Sequence, residues 1–444
     1  RCGGRRSCVE MAPSSTKSSM AGYGLALSMA AASLVLCGRP AMAQLPTRPQ
    51  TWAMNASTII MPCNYSGFTD PASTAGFSIV DFDWSNSKAQ WAQAKPMNDE
   101  ELLMQQVQMT ADATPGTTVW VYRNSIYAYP WYTSVRTILE DPAYEAWHLK
   151  FKEEGPWTSP KCDYNYDPPL CSDYFHSQEQ TPDYPSGDGD CAGPACDCGS
   201  VPCGMYLWNH SSDVIVNGQT FQDWFIDSYM FNEVGSSPLV SGFFWDDIWS
   251  VDDPFSPDLW PNTSTDIGLT TADLEQLTAS WTANMDALKE RTISEGKFAW
   301  QMLWTGGGAN NYGGTCPTPL VKESSCAADL EALCADDSPQ YEQRAMMYSF
   351  GPGGCSGADP SSLPDLEADL ANFLLVRGPY AWLGHGWLGC SMDYLYPDEL
   401  SRDYGEPMGQ CAETETPGVY AREWSKATVQ MDCNTWTPSV TFKE

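Results

Sequence analysis

The stretch Ser241–Ser250, SGFFWDDIWS, decides the fold. Leu239 and Val240 lead into Gly242, Phe243, Phe244 and Trp245, a short dense apolar run of the kind that a parallel sheet buries on both faces. Asp246 and Asp247 stand where that strand would end. In a parallel αβ barrel the loops at the carboxyl ends of the strands build the site, so carboxylates there are expected to do chemistry. Successive residues of an extended chain point to opposite sides, which predicts that one of the two aspartates faces the barrel axis. The competing use of the pair is to cap the next helix while Trp249 packs beneath.

Outward from this strand the chain alternates between strand and helix patterns. Ser57–Met61 (STIIM), Phe77–Phe82 (FSIVDF), Thr118–Tyr122 (TVWVY), Met205–Trp208 (MYLW), Phe298–Trp304 (FAWQMLW), Met347–Phe350 and Tyr380–Leu383 read as strands, making eight with the aspartate strand. Helical spacing fills Asp99–Ala111, Thr133–Lys152, Phe221–Phe231, Thr270–Ser294, Cys326–Cys334, Ser338–Met346 and Leu363–Val376. The expected fold class is α/β, a (β/α)8 TIM-type barrel over residues 50–415. Residues 155–203 break the rhythm with six cysteines, many prolines and an acidic run, and predict a disulfide-rich insertion over the barrel mouth. Residues 416–444 change to alternating β pattern and predict a small C-terminal β element.

The N-terminus carries an address. Residues 1–10 precede Met11, and Met20 is a second possible start. Gly22–Cys37 is an apolar stretch too short for a membrane span of about 20 residues, and Ala41, Met42 and Ala43 form an A-x-A site. This pattern predicts a signal peptide over 1–43, secretion, and no transmembrane segment. Removing it takes three of the 17 cysteines and leaves an even number, which suits disulfides in an oxidising compartment. It also deletes five basic residues and one acidic residue, shifting the formal charge from −33 to −37. Such a chain repels nucleic acid and anionic lipid. Four N-x-S/T sequons, at Asn55, Asn64, Asn209 and Asn262, are open to glycosylation, although Asn209 follows a strand and is expected to be buried.

Chemistry-bearing residues gather at the expected strand ends. Asp81, Asp83 and Trp84 stand at the end of the second strand, Arg123 and Asn124 at that of the third, Asn209 and His210 at that of the fourth, and Trp245 and Trp249 flank the aspartates. Gln301 and Trp304 belong to FAWQMLW, while His385 and Trp387 follow the last strand. Indoles stack on pyranose faces and carboxylates bind hydroxyls, so this set suits a carbohydrate substrate. Trp84 and Trp91 serve equally well to pack the first helix, and a strand-end histidine often only bonds a neighbouring loop.

Other chemistries find little support. The spacing of Cys191, Cys196, Cys198 and Cys203 differs from the usual zinc pairs and suits loop staples. Asp188 and Asp190 lack the EF-hand pattern, and glycine-rich Thr305–Cys316 lacks the lysine of a phosphate loop. There is no G-x-S-x-G elbow. No metal or organic cofactor is expected. Oligomeric state is not legible.

Several pieces together carry a resemblance. DFDWSNS (Asp81–Ser87), VYRN (Val121–Asn124), GFFWDDIW (Gly242–Trp249), YAWLG (Tyr380–Gly384) and GVYAREWSKATVQMDC (Gly418–Cys433) resemble the glycoside-hydrolase-like proteins of TIM-barrel fold, across about residues 50–436. The resemblance implies carbohydrate hydrolysis, with Asp246 or Asp247 at the family's acidic strand-end position. The cysteine-rich insertion departs from that pattern, and no second carboxylate matches it. Glycoside cleavage ordinarily takes two carboxyl groups, for which Asp83, with Asp81, is the other candidate. The alternatives are a non-catalytic extracellular glycan-binding barrel and a cysteine-rich surface glycoprotein.

Overall fold

The structure, a computed structural model, describes residues 51–164, 166–177, 197–247, 249, 266–301, 321, 323–335, 344–347, 362–386, 390 and 394–444. The expected signal sequence, Asp188 and Asp190, the sequon at Asn262, the glycine-rich stretch 305–316, Trp304 and Trp387 lie outside them.

Seven parallel strands form the main sheet: β1 (Thr58–Ile60), β2 (Ile79–Phe82), β3 (Thr118–Asn124), β4 (Val240–Asp246), β5 (Phe298–Gln301), β6 (Arg344–Met347) and β7 (Ala381–His385). Their spatial order is β5-β4-β3-β2-β1-β7-β6. The first strand therefore lies between the second and the last, and Ile59 stands opposite both Ile79 and Gly384. Helices Asp99–Ala113, Thr271–Ser294, Cys326–Leu333 and Leu366–Val376 come between successive strands, as βα units require. Thr270 and Asp273 start the longest of them with a reciprocal capping box.

The sheet is curled. Phe298 on β5 and Trp382 on β7 are five strand positions apart, about 24 Å in a flat sheet at ~4.8 Å per strand. Their ring centroids lie 5.5 Å apart, and Trp120 on β3 reaches both, at 6.2 Å and 5.3 Å. These three rings fill one floor of an enclosed interior. Gly242 makes room for it, since a Cβ there would meet the Trp120 indole at 2.6 Å. A Cβ on Gly384 would lie 1.7 Å from the Ile59 carbonyl oxygen, so close pairing of β1 with β7 also requires glycine.

Three expectations change here. Among the described residues β5 and β6 do not pair, and no closed eight-stranded barrel is seen. Met205–Leu207, expected as a barrel strand, runs antiparallel between Tyr127–Ala128 and His176–Ser177 in a separate three-stranded sheet. Its MYLW run is fully buried as a barrel strand would be, which explains the misreading: two-sided burial does not reveal which sheet buries the strand. The expected long helix over Thr133–Lys152 is instead a short one, Thr133–Leu139, followed by a 3-10 segment, Pro142–Trp147. Pro142 ends the helix because it cannot donate to the ladder.

Disulfides hold the periphery. Cys63–Cys390 joins the segment after β1 to the segment after β7. Cys162–Cys171 and Cys198–Cys203 staple the insertion, so Cys198 and Cys203 are cross-linked rather than zinc-ligating. Cys326–Cys433 and Cys334–Cys411 tie Cys326–Leu333 to a four-stranded antiparallel C-terminal sheet (Ala412–Glu413, Val419–Glu423, Ala427–Asp432, Thr437–Phe442). From that sheet Arg422 reaches the end of helix Leu366–Val376 and donates to the carbonyls of Leu374, Leu375 and Arg377 at 3.3, 3.0 and 2.7 Å. Helix ends leave such carbonyls without partners, and Arg422 supplies them. Its guanidinium, like that of Arg377, lies against Trp52 and Trp424.

Candidate active site

Alternation along β3 sorts its side chains. Trp120, Tyr122 and Asn124 share the enclosed face, and Val119, Val121 and Arg123 share the face covered by helices. Asn124 is the fixed point. Its Oδ1 accepts the backbone N–H groups of Ile126 and Tyr127 at 2.9 and 2.7 Å. Two donors on one end of the amide determine its orientation, so the NH2 end faces the other way. There it meets Asp247 Oδ2 at 2.6 Å, the Tyr122 hydroxyl at 2.8 Å and the Tyr129 hydroxyl at 2.9 Å.

The two aspartates enter the same cluster. Tyr122 donates its hydroxyl to Asp246 Oδ2 at 2.9 Å. Asp247 has a backbone φ of 59°, the left-handed region, and this turn brings its N–H within 2.9 Å of Asp246 Oδ1. The expectation that neighbouring aspartates diverge holds for extended backbone and fails here because the strand ends at Asp246. Ser125 fixes the turn from below, its N–H bonding the Asp246 carbonyl at 2.9 Å and its hydroxyl the Asp247 carbonyl at 2.5 Å. Burial raises the pKa of both carboxyls. Tyr122 and the Asp247 N–H oppose the rise at Asp246, whereas the Asp246 charge adds to it at Asp247.

Asp83 follows β2 on the same face. Its Oδ1 accepts the Ser85 N–H at 2.8 Å and the Ser85 hydroxyl. Burial lifts its pKa to about 6, against the pull of the Ser85 bonds and with a further push from Asp246. Asp83 and Asp246 thus stand on either side of β3, at the same ends of their strands. Asp81, two residues earlier, is fully buried, and among the described residues neither oxygen has a hydrogen-bond partner. Burial, then the Asp83 charge, holds its pKa well above the carboxylate range.

The remaining candidates are dispersed. Arg123 is fully buried on the helix side, donating to the Tyr122 carbonyl and to Asn232, 3.7 Å from Glu100 and stacked on Tyr132. His210 lies between the Ser125 carbonyl, at 2.7 Å, and Asn284, at 3.0 Å; burial drops its pKa to about 3. Asn209 bonds the Ala146 carbonyl through its amide. His385, at the end of β7, bonds the Leu395 carbonyl at 2.7 Å and packs edge-on to Phe77 and Tyr394. Trp245 packs with Phe243 away from the enclosed face, and Trp249 is buried. Trp84 is half-buried over Trp131, Tyr129 and Trp91, with the Lys88 ammonium above its ring. Gln301 lies in β5, and its side chain is outside the described set.

The sequence reading missed Tyr122, Ser125, Tyr129 and Ser85. For Tyr122 a signal existed, because a residue two before Asn124 on a strand must share its face. Among the described residues no group of three or more metal-ligating side chains converges, and no helix is long and apolar enough to cross a membrane.

Fold and cluster together define a class: an α/β protein with a curled parallel sheet and a group of carboxyls at the carboxyl ends of its strands. Among solved structures the chain is similar to cyclic α-maltosyl-(1→6)-maltose hydrolase from Arthrobacter globiformis in complex with cyclic α-maltosyl-(1→6)-maltose, at 11% identity and a TM-score of 0.40 over 87% of this chain and 92% of that one. It is similar to α-amylase from Geobacillus thermoleovorans complexed with acarbose, at 10% identity and a TM-score of 0.36 over 85% and 86%. A Family GH13_31 enzyme gives 7% identity and a TM-score of 0.37 over 75% of this chain and 66% of that one, so the chain spans just under two thirds of its length. No family model matches the sequence, and neither does any curated protein.

Proposed function

We propose that the protein is a secreted glycoside hydrolase-like enzyme of (β/α)8 type, cleaving glycosidic bonds of an oligo- or polysaccharide with Asp83 and Asp246 as its carboxyl pair. The observation that carries this reading is placement: Asp246 ends β4 in register with Asn124, and Asp83 follows β2 on the other side of β3, both on the enclosed face. Strands two places apart in a sheet are about 10 Å apart, and side chains on the inside of a curled sheet converge. That span suits the pair of carboxyls, roughly 5–10 Å apart, that flanks a glycosidic bond.

In this reading the roles divide by environment. Asp83, raised to about 6, holds the proton that a leaving alkoxide needs. Asp246, with Tyr122 on one oxygen and the Asp247 N–H on the other, is the carboxylate. Trp84, half-buried beside Asp83, offers a stacking face for a sugar ring. The wrap of the sheet and the pairing of its first and last strands support the barrel type, with the seam between β5 and β6 as the position for closure.

The test is hydrolysis of a panel of chromogenic glycosides and polysaccharides by the secreted protein and by Asp83→Asn, Asp246→Asn and the double variant. Turnover that falls about 10²–10⁴-fold in each single variant supports the reading. Unchanged turnover in all three overturns it. Glycan binding without cleavage, retained in the variants, points to a binding barrel instead.

A further inference from the structure

Asn124 offers two amide hydrogens to three oxygens, those of Asp247, Tyr122 and Tyr129. The hydroxyl protons can then be placed by elimination. Tyr122 has one proton, and the carboxylate Oδ2 of Asp246, at 2.9 Å, is an acceptor only. The Tyr122 proton therefore goes to Asp246. Tyr129, 3.2 Å from the Tyr122 oxygen, then has that oxygen as its hydrogen-bond acceptor. A directed chain results: Tyr129 O–H to Tyr122, Tyr122 O–H to Asp246, with an Asn124 N–H also aimed at the Tyr122 oxygen. A hydroxyl that accepts hydrogen bonds becomes a better donor. Both tyrosines are buried, and burial followed by the neighbouring aspartates keeps their hydroxyls protonated.

We infer that Tyr122 is a positioning residue which fixes the Asp246 carboxylate in its ionised, oriented form, and that the hydrogen bonds of Asn124 and Tyr129 reach Asp246 through it. The inference rests on the hydrolase reading for its purpose, although the geometry stands without it. Asp247 meets Asn124 directly and Tyr122 does not touch it by hydrogen bond, so the chain treats the two neighbouring aspartates differently. Removing the Tyr122 hydroxyl withdraws one donor from the anionic form of Asp246 and leaves Asp247 its Asn124 bond.

The experiment is a carboxyl titration by NMR of protein carrying 13C-labelled aspartate, with Asp246 assigned by its absence in Asp246→Asn, together with the pH profile of kcat/KM. In Tyr122→Phe the Asp246 midpoint is expected to rise by about one pH unit or more. The acidic limb of the rate profile should follow it, with KM little changed. Should Tyr122→Phe fail to fold, Tyr129→Phe removes the hydroxyl behind Tyr122 and should move the same midpoint in the same direction by less. An unmoved midpoint in the folded variant overturns the inference, whatever the activity. A moved midpoint in a protein that hydrolyses no sugar sustains the positioning role and fails the hydrolase reading alone.

Discussion

The backbone N–H of Asp247 points at Oδ1 of Asp246, 2.9 Å away, because Asp247 is held at a φ of 59°. Residues other than glycine reach that region at a cost, with Asn and Asp the best tolerated and β-branched residues the worst. Strain of this kind persists where the surroundings enforce it, and here Ser125 and Asn124 bond the aspartate from both sides.

Asp247→Asn and Asp247→Gly should therefore fold with stability within about 1 kcal/mol of the parent, whereas Asp247→Val should lose about 1–3 kcal/mol. Urea denaturation of the three variants checks this. Equal stability of the valine and asparagine variants would show that the turn is not enforced.

Asp83 predicts a pH dependence. Its folded pKa of about 6 lies above the ordinary carboxylate value, so the folded state binds the proton more tightly than the unfolded chain. The resulting stability is fully present below about pH 4 and is lost as pH rises through about 6, a change of about 3 kcal/mol. Asp83→Asn should remove this component, so that between pH 4 and 7 the variant loses about 3 kcal/mol less unfolding free energy than wild type. If Asp83 donates the catalytic proton, kcat/KM should also fall above about pH 6, close to tenfold per pH unit.

Asp81 has two buried oxygens in the interior of the sheet without hydrogen-bond partners among the described residues. Replacing an unpaired buried polar group by an apolar one of similar size is neutral or stabilising. Asp81→Val is expected to raise the unfolding free energy by about 1–3 kcal/mol near neutral pH. A clear loss in thermal or urea unfolding would mean that the carboxyl has a structural task.

Arg422 carries the contact between the C-terminal sheet and the end of helix Leu366–Val376. Arg422→Ala should cost about 3 kcal/mol or more, since it strips a buried donor from three carbonyls. Arg422→Lys should recover little, because an ammonium does not fill the planar slot against Trp52 and Trp424. Amide hydrogen exchange over Val419–Phe442 is the measurement. Unchanged protection in Arg422→Ala would transfer the anchoring role to the disulfides.

Much of this architecture was legible in the chain. Apolar runs bounded by polar strand ends located six of the seven sheet strands well; the seventh, Arg344–Met347, overlaps the expected helix Ser338–Met346 and meets the expected strand only at Met347, residues 348–350 lying outside the described set. What failed was assignment between sheets, since the burial of Met205–Leu207 is the same in either setting. At the site, Asp83, Asn124, Asp246 and Asp247 lie in one electrostatic and hydrogen-bonded group, as their strand-end positions suggested. Arg123 and His385 occupy strand ends too but face the covering side, a distinction that the period of two contains once a neighbouring inward residue is known. The left-handed turn at Asp247 is one that aspartate tolerates but does not announce, since the same residue type stands in extended backbone at Asp246.

The pairing of β1 with β7 bears on the order in which the molecule can be made. Thr58–Ile60 leaves the ribosome more than 300 residues before its partner Ala381–His385. Until that partner arrives, one edge of the growing sheet stays open, and contacts so distant in sequence are slow to form. Synthesis at about 5–20 residues per second keeps that edge waiting for roughly 15–60 seconds. Shielding that open edge during the interval is a demand separate from the stability of the finished sheet.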